Sequence, residues 1–163
     1  MPIPTQTDTP DFLEILRVLA AHDVRFIVVG GMSAVMQGAP YLTYDLDAVH
    51  DRSDENIQRL IPALANLRAV YRHKPEVGPQ ARALAGQGHQ LLATRCGPLD
   101  LLGEITGGRA YGDLLPRACP VEVEPGLTIQ ALGIEALIEE KESLGRDKDR
   151  LLLPWLRRMR VRR

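Results

Sequence analysis

The spacing of hydrophobic residues predicts an amphipathic helix near the start of the chain and further helices later. Apolar side chains recur at helical spacing from Phe12 to Leu19, so we predict a helix over residues 10–22. Thr9 followed by Pro10 is typical of a helix start, with Thr9 as the N-cap. The same spacing predicts helices over three later stretches: 53–64 with Ser53 as its cap, 133–143, and 148–159 with a bend or break near Pro154.

Between these helices, short runs rich in β-branched and other apolar residues predict strands. Residues 24–29 predict a buried strand that runs into a turn at Gly30-Gly31, followed by a short helix over 33–37. The remaining predicted strands are 43–50, 69–72, a hairpin of 90–94 with 99–102, and a hairpin of 121–124 with 127–130. Helices and strands do not alternate strictly, so the sequence predicts an α+β fold with helices packed on a mixed sheet.

Composition narrows the class of protein further. The chain has 163 residues and a formal net charge of −1, which predicts one domain with no overall bias toward nucleic acid. Cys96 and Cys119 belong to no CxxC motif, so we expect free thiols in a reducing compartment. The polar N-terminus and the lack of a long apolar run predict a cytoplasmic protein without a membrane span.

Two acids lie two residues apart in the strand predicted over 43–50. Alternation places Asp45, Asp47 and Val49 on one face of that strand. Neighbouring carboxylates repel each other, so this face either lies in water or holds a divalent cation. Mg²⁺ takes carboxylate oxygens as ligands and shares them with substrate phosphates.

Asp100 interrupts the apolar run Pro98–Leu102. An acid in such a run either points to water from an edge strand or needs a partner or a metal ion. A neighbouring strand in the same sheet would bring Asp100 beside Asp45 and Asp47.

Two further features suggest phosphate binding. Gly30-Gly31 could form a simple tight turn, or let a phosphate approach the backbone, with Ser33 adding a hydroxyl. Lys141 is one of only three lysines among 20 basic residues. It could provide a compact charge for phosphate, or form an ordinary exposed ion pair, and Asp149 could orient it.

The last seven residues, 157–163, include five arginines. They form either a solvated terminus or a contact for the phosphates of a nucleic acid.

Taken together, these residues resemble the nucleotidyltransferase superfamily, whose catalytic domain is like that of DNA polymerase β. The motif of that superfamily is a strand ending in a glycine pair, a spacer, Asp-x-Asp, and a third acid on a later strand. The matching residues here are Gly30-Gly31, Asp45-Leu46-Asp47 and Asp100. Residues 137–149 also resemble the "LI…K…GR.KD" signature of a bacterial and archaeal branch similar to the AbiEii and MenT toxin-type transferases.

The resemblance implies a nucleotidyltransferase-like mixed sheet and a single domain over 1–163, with a catalytic core over about 24–130 and C-terminal helices over about 133–160. It implies that two Mg²⁺ ions are held on an NTP by Asp45, Asp47 and Asp100, with Asp100 also helping to deprotonate an acceptor hydroxyl. It further implies the phosphate-binding residues, which are Gly30, Gly31, Ser33 and Lys141.

The implied reaction transfers a nucleoside monophosphate and releases pyrophosphate. The residues leave open which NTP, such as ATP, is used and whether the acceptor is RNA, a protein or a small molecule. They also leave open a toxin role with an antitoxin, and a homodimer. The alternative is a non-catalytic nucleotide-binding module or an RNA-binding protein with the same fold.

Overall fold

The computed structural model describes residues 9–162, and its elements match the predicted mixture of helices and strands. The helices are α1 Phe12–Ala21, α2 Gly30–Met36, α3 Asp54–Asn66, α4 Ala81–Leu84, α5 Tyr111–Leu114, α6 Ile134–Leu144 and α7 Asp147–Val161, with a 3-10 turn at Leu115–Arg117. The strands are β1 Phe26–Val29, β2 Leu46–His50, β3 Val70–Tyr71, β4 His89–Thr94, β5 Gly97–Leu102, β6 Glu104–Ile105, β7 Arg109–Ala110, β8 Ala118–Glu124 and β9 Leu127–Leu132.

Seven of these strands form one mixed sheet in the order β3-β4-β5-β2-β1-β9-β8. β1 runs antiparallel to β2 and parallel to β9, and β2 runs parallel to β5. The two predicted hairpins are present as the antiparallel pairs β4–β5 and β8–β9. Strands β6 and β7 pair separately, and the sequence had not predicted them.

Hydrophobic side chains cover both faces of the sheet. On one face, Val28 and Leu46 pack in a core with residues of α1 and α3, including Leu19 and Leu60. The opposite core receives strand residues and residues of α6 and α7, listed here: Ile27, Val29, Val49, Leu137, Ile138, Leu152 and Leu156. Strand β1 is apolar at every position because it is buried on both sides.

The alternation predicted for β2 is also present. Leu46 and Ala48 lie in the core beneath α1 and α3, whereas Val49 lies in the core beneath α6 and α7. Asp47 shares the face of Val49 because side chains two residues apart on a strand point the same way. Asp47 therefore lies on the sheet face against which α6 and α7 pack.

Three local predictions were wrong. Gly30-Gly31 forms the first residues of α2 and is not a separate turn before a helix at 33–37. Helix α7 continues through Pro154 to Val161, so the predicted break there was wrong, whereas the predicted alternative of a bend stays a prediction. Helix α1 is capped by Asp11, whose side chain accepts a hydrogen bond from the Glu14 amide at 3.0 Å. A carboxylate is as good a cap as the Thr9 hydroxyl and lies closer to the first helical turn.

Two other expectations concern the cysteines and membrane-spanning helices. Cys96 and Cys119 are both free thiols. Within residues 9–162, no helix combines the length and the apolar character needed to cross a membrane.

The cap of α1 provides a test of this local structure. Replacing Asp11 with Ala leaves the Glu14 amide without its partner, so Asp11→Ala should lower the free energy of unfolding by about 1 kcal/mol. Urea denaturation measures this loss. Thr9→Ala is the matched control and should leave stability unchanged, whereas a larger loss for Thr9→Ala would place the cap at Thr9.

Candidate active site

The strand register brings the three acids together. Asp47 of β2 lies directly opposite Asp100 of the parallel strand β5, and Asp45 lies two residues before Asp47. Each of the three carboxylates has an oxygen within 4.8 Å of the other two. Residues more than 50 positions apart in the chain thus form one cluster, as expected if β5 is a neighbour of β2.

The cluster is electrostatically strained in the absence of a cation. Burial, followed by the negative charges of Asp45 and Asp100, raises the pKa of Asp47 to about 7, although the positive charge of Lys141 opposes this rise. Burial also raises the pKa of Asp100, although Arg72 opposes this rise with a contact of 2.6 Å. At neutral pH, the folded protein therefore accumulates negative charge here only at a free-energy cost.

A divalent cation would remove this strain. Three carboxylates supply hard oxygen ligands, which suit Mg²⁺, and the positive ion offsets their mutual repulsion. Because the three ligand atoms already lie close together, the chain need not rearrange widely to bind an ion. The donor set therefore fits a divalent metal.

The glycine pair lies beside this cluster because Val29 of β1 is paired with Asp47. Gly30 has a φ of +64°, and a Cβ atom there would lie 2.8 Å from Asp47 Oδ2. A Cβ atom on Gly31 would lie 2.8 Å from a ring carbon of Tyr41. A side chain at either position would therefore displace Asp47 or Tyr41, and the positive φ at Gly30 also favours glycine there.

Lys141 is buried at the same cleft and is held by a carboxylate. Its Nζ lies 2.9 Å from Asp149 Oδ1, and Arg146 Nε lies 2.7 Å from the other oxygen of Asp149. Burial would raise the pKa of Asp149, but the hydrogen bonds from Arg146 and Lys141 outweigh it and hold the pKa below its usual value. Asp149 therefore contacts Lys141, as the sequence predicted, and it also contacts Arg146.

The link between α6 and α7 explains this arrangement. Gly145 adopts a left-handed conformation with φ of +60° and ends α6, and α7 begins two residues later. The short link lets the first turn of α7 return beside the last turns of α6. Asp149 consequently faces Lys141 in the space between the helices.

Ser33 is the exception among the predicted site residues. Its side chain is completely buried, and its hydroxyl donates a hydrogen bond to the Leu132 carbonyl at 2.9 Å. Ser33 lies on the first turns of α2 and faces β9, away from the cleft. The structure therefore joins α2 to the sheet through Ser33 and does not place this hydroxyl with the other predicted phosphate ligands.

The remaining predicted residues border a cleft of about 270 Å³. Several of its residues had been assigned no role from the sequence: Tyr41, Thr43, His89, Thr106, Glu140, Arg146 and Lys148. Glu140, Arg146 and Lys148 lie within the signature-like stretch 137–149, so that stretch was the available signal. Arg72 had no such signal, because only the folding of β3 beside β4 brings it to Asp100.

A short hairpin also borders the cleft. Ile105 and Thr106, from the β6–β7 hairpin, line it, and the Thr106 hydroxyl donates to Glu140 at 3.0 Å. Arg109 also donates to Glu140, at 2.8 Å. These bonds attach the hairpin to α6 beside Lys141.

Comparisons with known proteins agree with this architecture. No family model matches the chain, and no curated protein matches it. Among solved structures, its fold is similar to that of a "putative nucleotidyltransferase" from Thermotoga maritima, with a TM-score of 0.56 over 90% of this chain and 91% of that chain. At 19% sequence identity, the likeness shows a shared fold, and the predicted α+β class with a nucleotidyltransferase-like mixed sheet is confirmed.

The close approach of Gly30 to Asp47 leads to a prediction about metal binding. Gly30→Ala places a methyl group against Asp47 Oδ2, so it should lower stability by about 1–3 kcal/mol and weaken Mg²⁺ or Mn²⁺ binding at least about tenfold. Isothermal titration calorimetry measures the affinity. Gly126→Ala is the matched control, because Gly126 also has positive φ (+84°) but open space around its Cβ position. It should lose stability while keeping metal affinity.

The raised pKa of Asp47 leads to a prediction about pH. The folded-state pKa of about 7 exceeds the ordinary value of 3.8, so the metal-free fold loses stability as pH rises from about 4 to about 7. Asp47→Asn removes this loss. In EDTA at pH 8, it should therefore stabilise the protein by about 1–3 kcal/mol, and the gain should shrink progressively toward pH 4.

Denaturation of both proteins in EDTA between pH 5 and pH 8 measures this dependence. Glu122→Gln, which alters an exposed acid outside the cleft, should show no such gain. An Asp47→Asn effect that is equal at pH 5 and pH 8 would contradict the prediction.

Proposed function

We propose that this protein is a Mg²⁺-dependent nucleotidyltransferase that transfers a nucleoside monophosphate from an NTP to a hydroxyl acceptor. The observation that carries the proposal is the acidic cluster of Asp45, Asp47 and Asp100, whose oxygens lie within 4.8 Å of one another beside a basic cleft wall. The fold shared with the Thermotoga maritima protein supports the same activity.

Asp45, Asp47 and Asp100 would hold the metal, with two Mg²⁺ ions expected from the resemblance. When bound, Mg²⁺ supplies Lewis-acid stabilisation of the negative charge on the triphosphate. The resemblance further implies that Asp100 would help to deprotonate the acceptor hydroxyl.

The basic residues of the cleft would bind the phosphates. Lys141 is fixed by Asp149, so its ammonium group is positioned before substrate arrives and loses little conformational freedom on binding. Arg146 and Lys148 border the same cleft from the start of α7. Gly30 and Gly31 line the cleft without side chains, so they leave space beside Asp47 for the phosphates.

In the proposed reaction, the acceptor oxygen forms a bond to the α-phosphorus and the bond from that phosphorus to the bridging oxygen breaks. The acceptor proton passes to a carboxylate, and pyrophosphate leaves. Positioned cations stabilise the charge that develops on the leaving group, which is the main catalytic contribution in such transfers.

The toxin-type role of the AbiEii and MenT branch stays a prediction of the resemblance, as do an antitoxin partner and a homodimer. The acidic cluster and the basic cleft wall provide ligands for metal and phosphate. They do not distinguish between bases or between acceptors.

Transfer of label tests the proposal. Wild-type protein with each α-³²P-labelled NTP and Mg²⁺, with and without total RNA and cell extract, should transfer label to an acceptor. The Asp45→Asn/Asp47→Asn variant should lower this transfer by on the order of 10²-fold or more, because it removes metal ligands. The product class is identified by nuclease and protease digestion.

Glu122→Gln is the control variant and should transfer label at the wild-type rate. Equal transfer by the wild type and the double variant would exclude the proposed site. Binding of Mg-NTP by calorimetry without transfer to any acceptor would instead favour the non-catalytic nucleotide-binding module.

A further inference from the structure

One face of α7 carries an unusual row of exposed side chains. Lys148, Leu151, Trp155, Arg158 and Arg162 are spaced by three or four residues, so they lie along a single helix face, which we call the α7 stripe. All five side chains are exposed. The stripe begins in the candidate active site, because Lys148 lines the cleft.

The apolar members of the α7 stripe are not explained by folding. Leu151 is 75% exposed and Trp155 is 43% exposed, while α7 packs its opposite side through Leu152 and Leu156. The guanidinium of Arg158 lies 5.2 Å from the centre of the Trp155 ring. An exposed indole with a cation over it provides a surface on which a flat, electron-rich group can stack.

The cations of the stripe also differ from the other cations of the helix. Arg157 pairs with Glu142 and Arg160 approaches Glu135, so these two arginines attach α7 to α6. Lys148, Arg158 and Arg162 have no carboxylate partner within residues 9–162. Basic residues near a helix C-terminus do complement its dipole, but that effect does not require them on one face with a tryptophan.

A shallow depression lies at the far end of the stripe. Arg157, Arg158, Val161 and Arg162 line it, so three arginine residues border one shallow concavity. Along the helix axis, the fourteen residue steps from Lys148 to Arg162 span about 21 Å. The cations thus extend from the cleft to a second basic position well outside it.

We propose that the α7 stripe binds single-stranded nucleic acid and leads its end into the cleft, which makes a nucleic-acid end the acceptor class. The second part of this proposal rests on the proposed transferase function. Arg158 and Arg162, which have no carboxylate partner among the described residues, match phosphates, and Trp155 with Arg158 matches the face of an unpaired base. A protein partner fits less well, because it would have to cover two isolated apolar side chains among uncompensated cations.

Fluorescence anisotropy of the full chain tests the binding. The probes are a fluorescein-labelled 20-nucleotide RNA and DNA of the same unstructured sequence, at 50 and 200 mM KCl. Arg158→Gln/Arg162→Gln should weaken binding at least about tenfold and reduce the slope of log affinity against log salt by about 1.4, since two phosphate contacts are lost. Trp155→Ala should weaken binding about fivefold or more through lost stacking.

Arg150→Gln/Arg160→Gln is the matched control, with the same change of charge on the same helix but on other faces. It should change affinity less than about threefold, and circular dichroism should confirm that every variant is folded. No binding at 50 mM KCl, or an equal loss in both double variants, would overturn the proposal. Binding to phosphatidylserine vesicles without binding to either oligonucleotide would also overturn it, in favour of a membrane surface.

The two proposals can fail separately. Asp45→Asn/Asp47→Asn should still bind the oligonucleotides, because these acids lie outside the stripe. Oligonucleotide binding by the wild type without label transfer would contradict the transferase function alone. Transfer of label to protein or to a small molecule, with no oligonucleotide binding, would contradict the role of the α7 stripe alone.

Discussion

The crowding of Asp45, Asp47 and Asp100 is the constraint on which the arrangement of the cleft depends. Parallel pairing of β2 with β5 places Asp47 directly opposite Asp100, and burial prevents water from fully screening the two charges. Three carboxylates in such a position are tolerated only with protons, cations or both. The basic residues around the cluster supply part of the positive charge that compensates the three carboxylates.

Two kinds of cation surround the cluster, and they have different consequences. Arg72 contacts Asp100 directly at 2.6 Å, so it stabilises one carboxylate of the cluster from the side of β3. Lys141 lies across the cleft and is tied to Asp149 instead. Because Asp149 rather than the acidic cluster holds Lys141, its ammonium group remains near the cluster without occupying the proposed metal position. A polyphosphate could then contact metal and lysine together.

Helices α6 and α7 therefore serve both packing and chemistry. Their apolar residues, such as Leu137 and Leu156, cover the sheet face from which Asp47 projects. The last turn of α6 and the first turn of α7 meet at Gly145. This junction brings Lys141, Arg146 and Lys148 to the edge of that face. The outer side of α7 is left uncovered and carries the exposed stripe that begins in the same cleft. Packing of one helix thus connects the buried acids to a basic outer surface.

Much of this fold could be predicted from local patterns. Apolar spacing located α1, α3, α6 and the two large hairpins, because a helix or strand must place its hydrophobic side chains on one face to form a core. The missed elements are short: the β6–β7 pair has two residues in each strand and too few positions for a period to show. The wrong N-cap at Thr9 arose because Thr and Asp are both favoured N-caps and lie two residues apart here, so the spacing of the apolar residues alone does not choose between them.

By itself, the sequence determined which chemical groups are available and which face of an element each occupies. Alternation along β2 placed the side chains of Leu46 and Asp47 on opposite faces of the strand. The rare lysine at 141 marked a cation in an arginine-rich chain. Only the tertiary structure decided which groups meet, because the register between strands and the direction of a helix result from packing across the whole chain. That packing joined Asp100 to Asp47, held Lys141 against Asp149, brought Arg72 to the cluster, and turned Ser33 away toward Leu132.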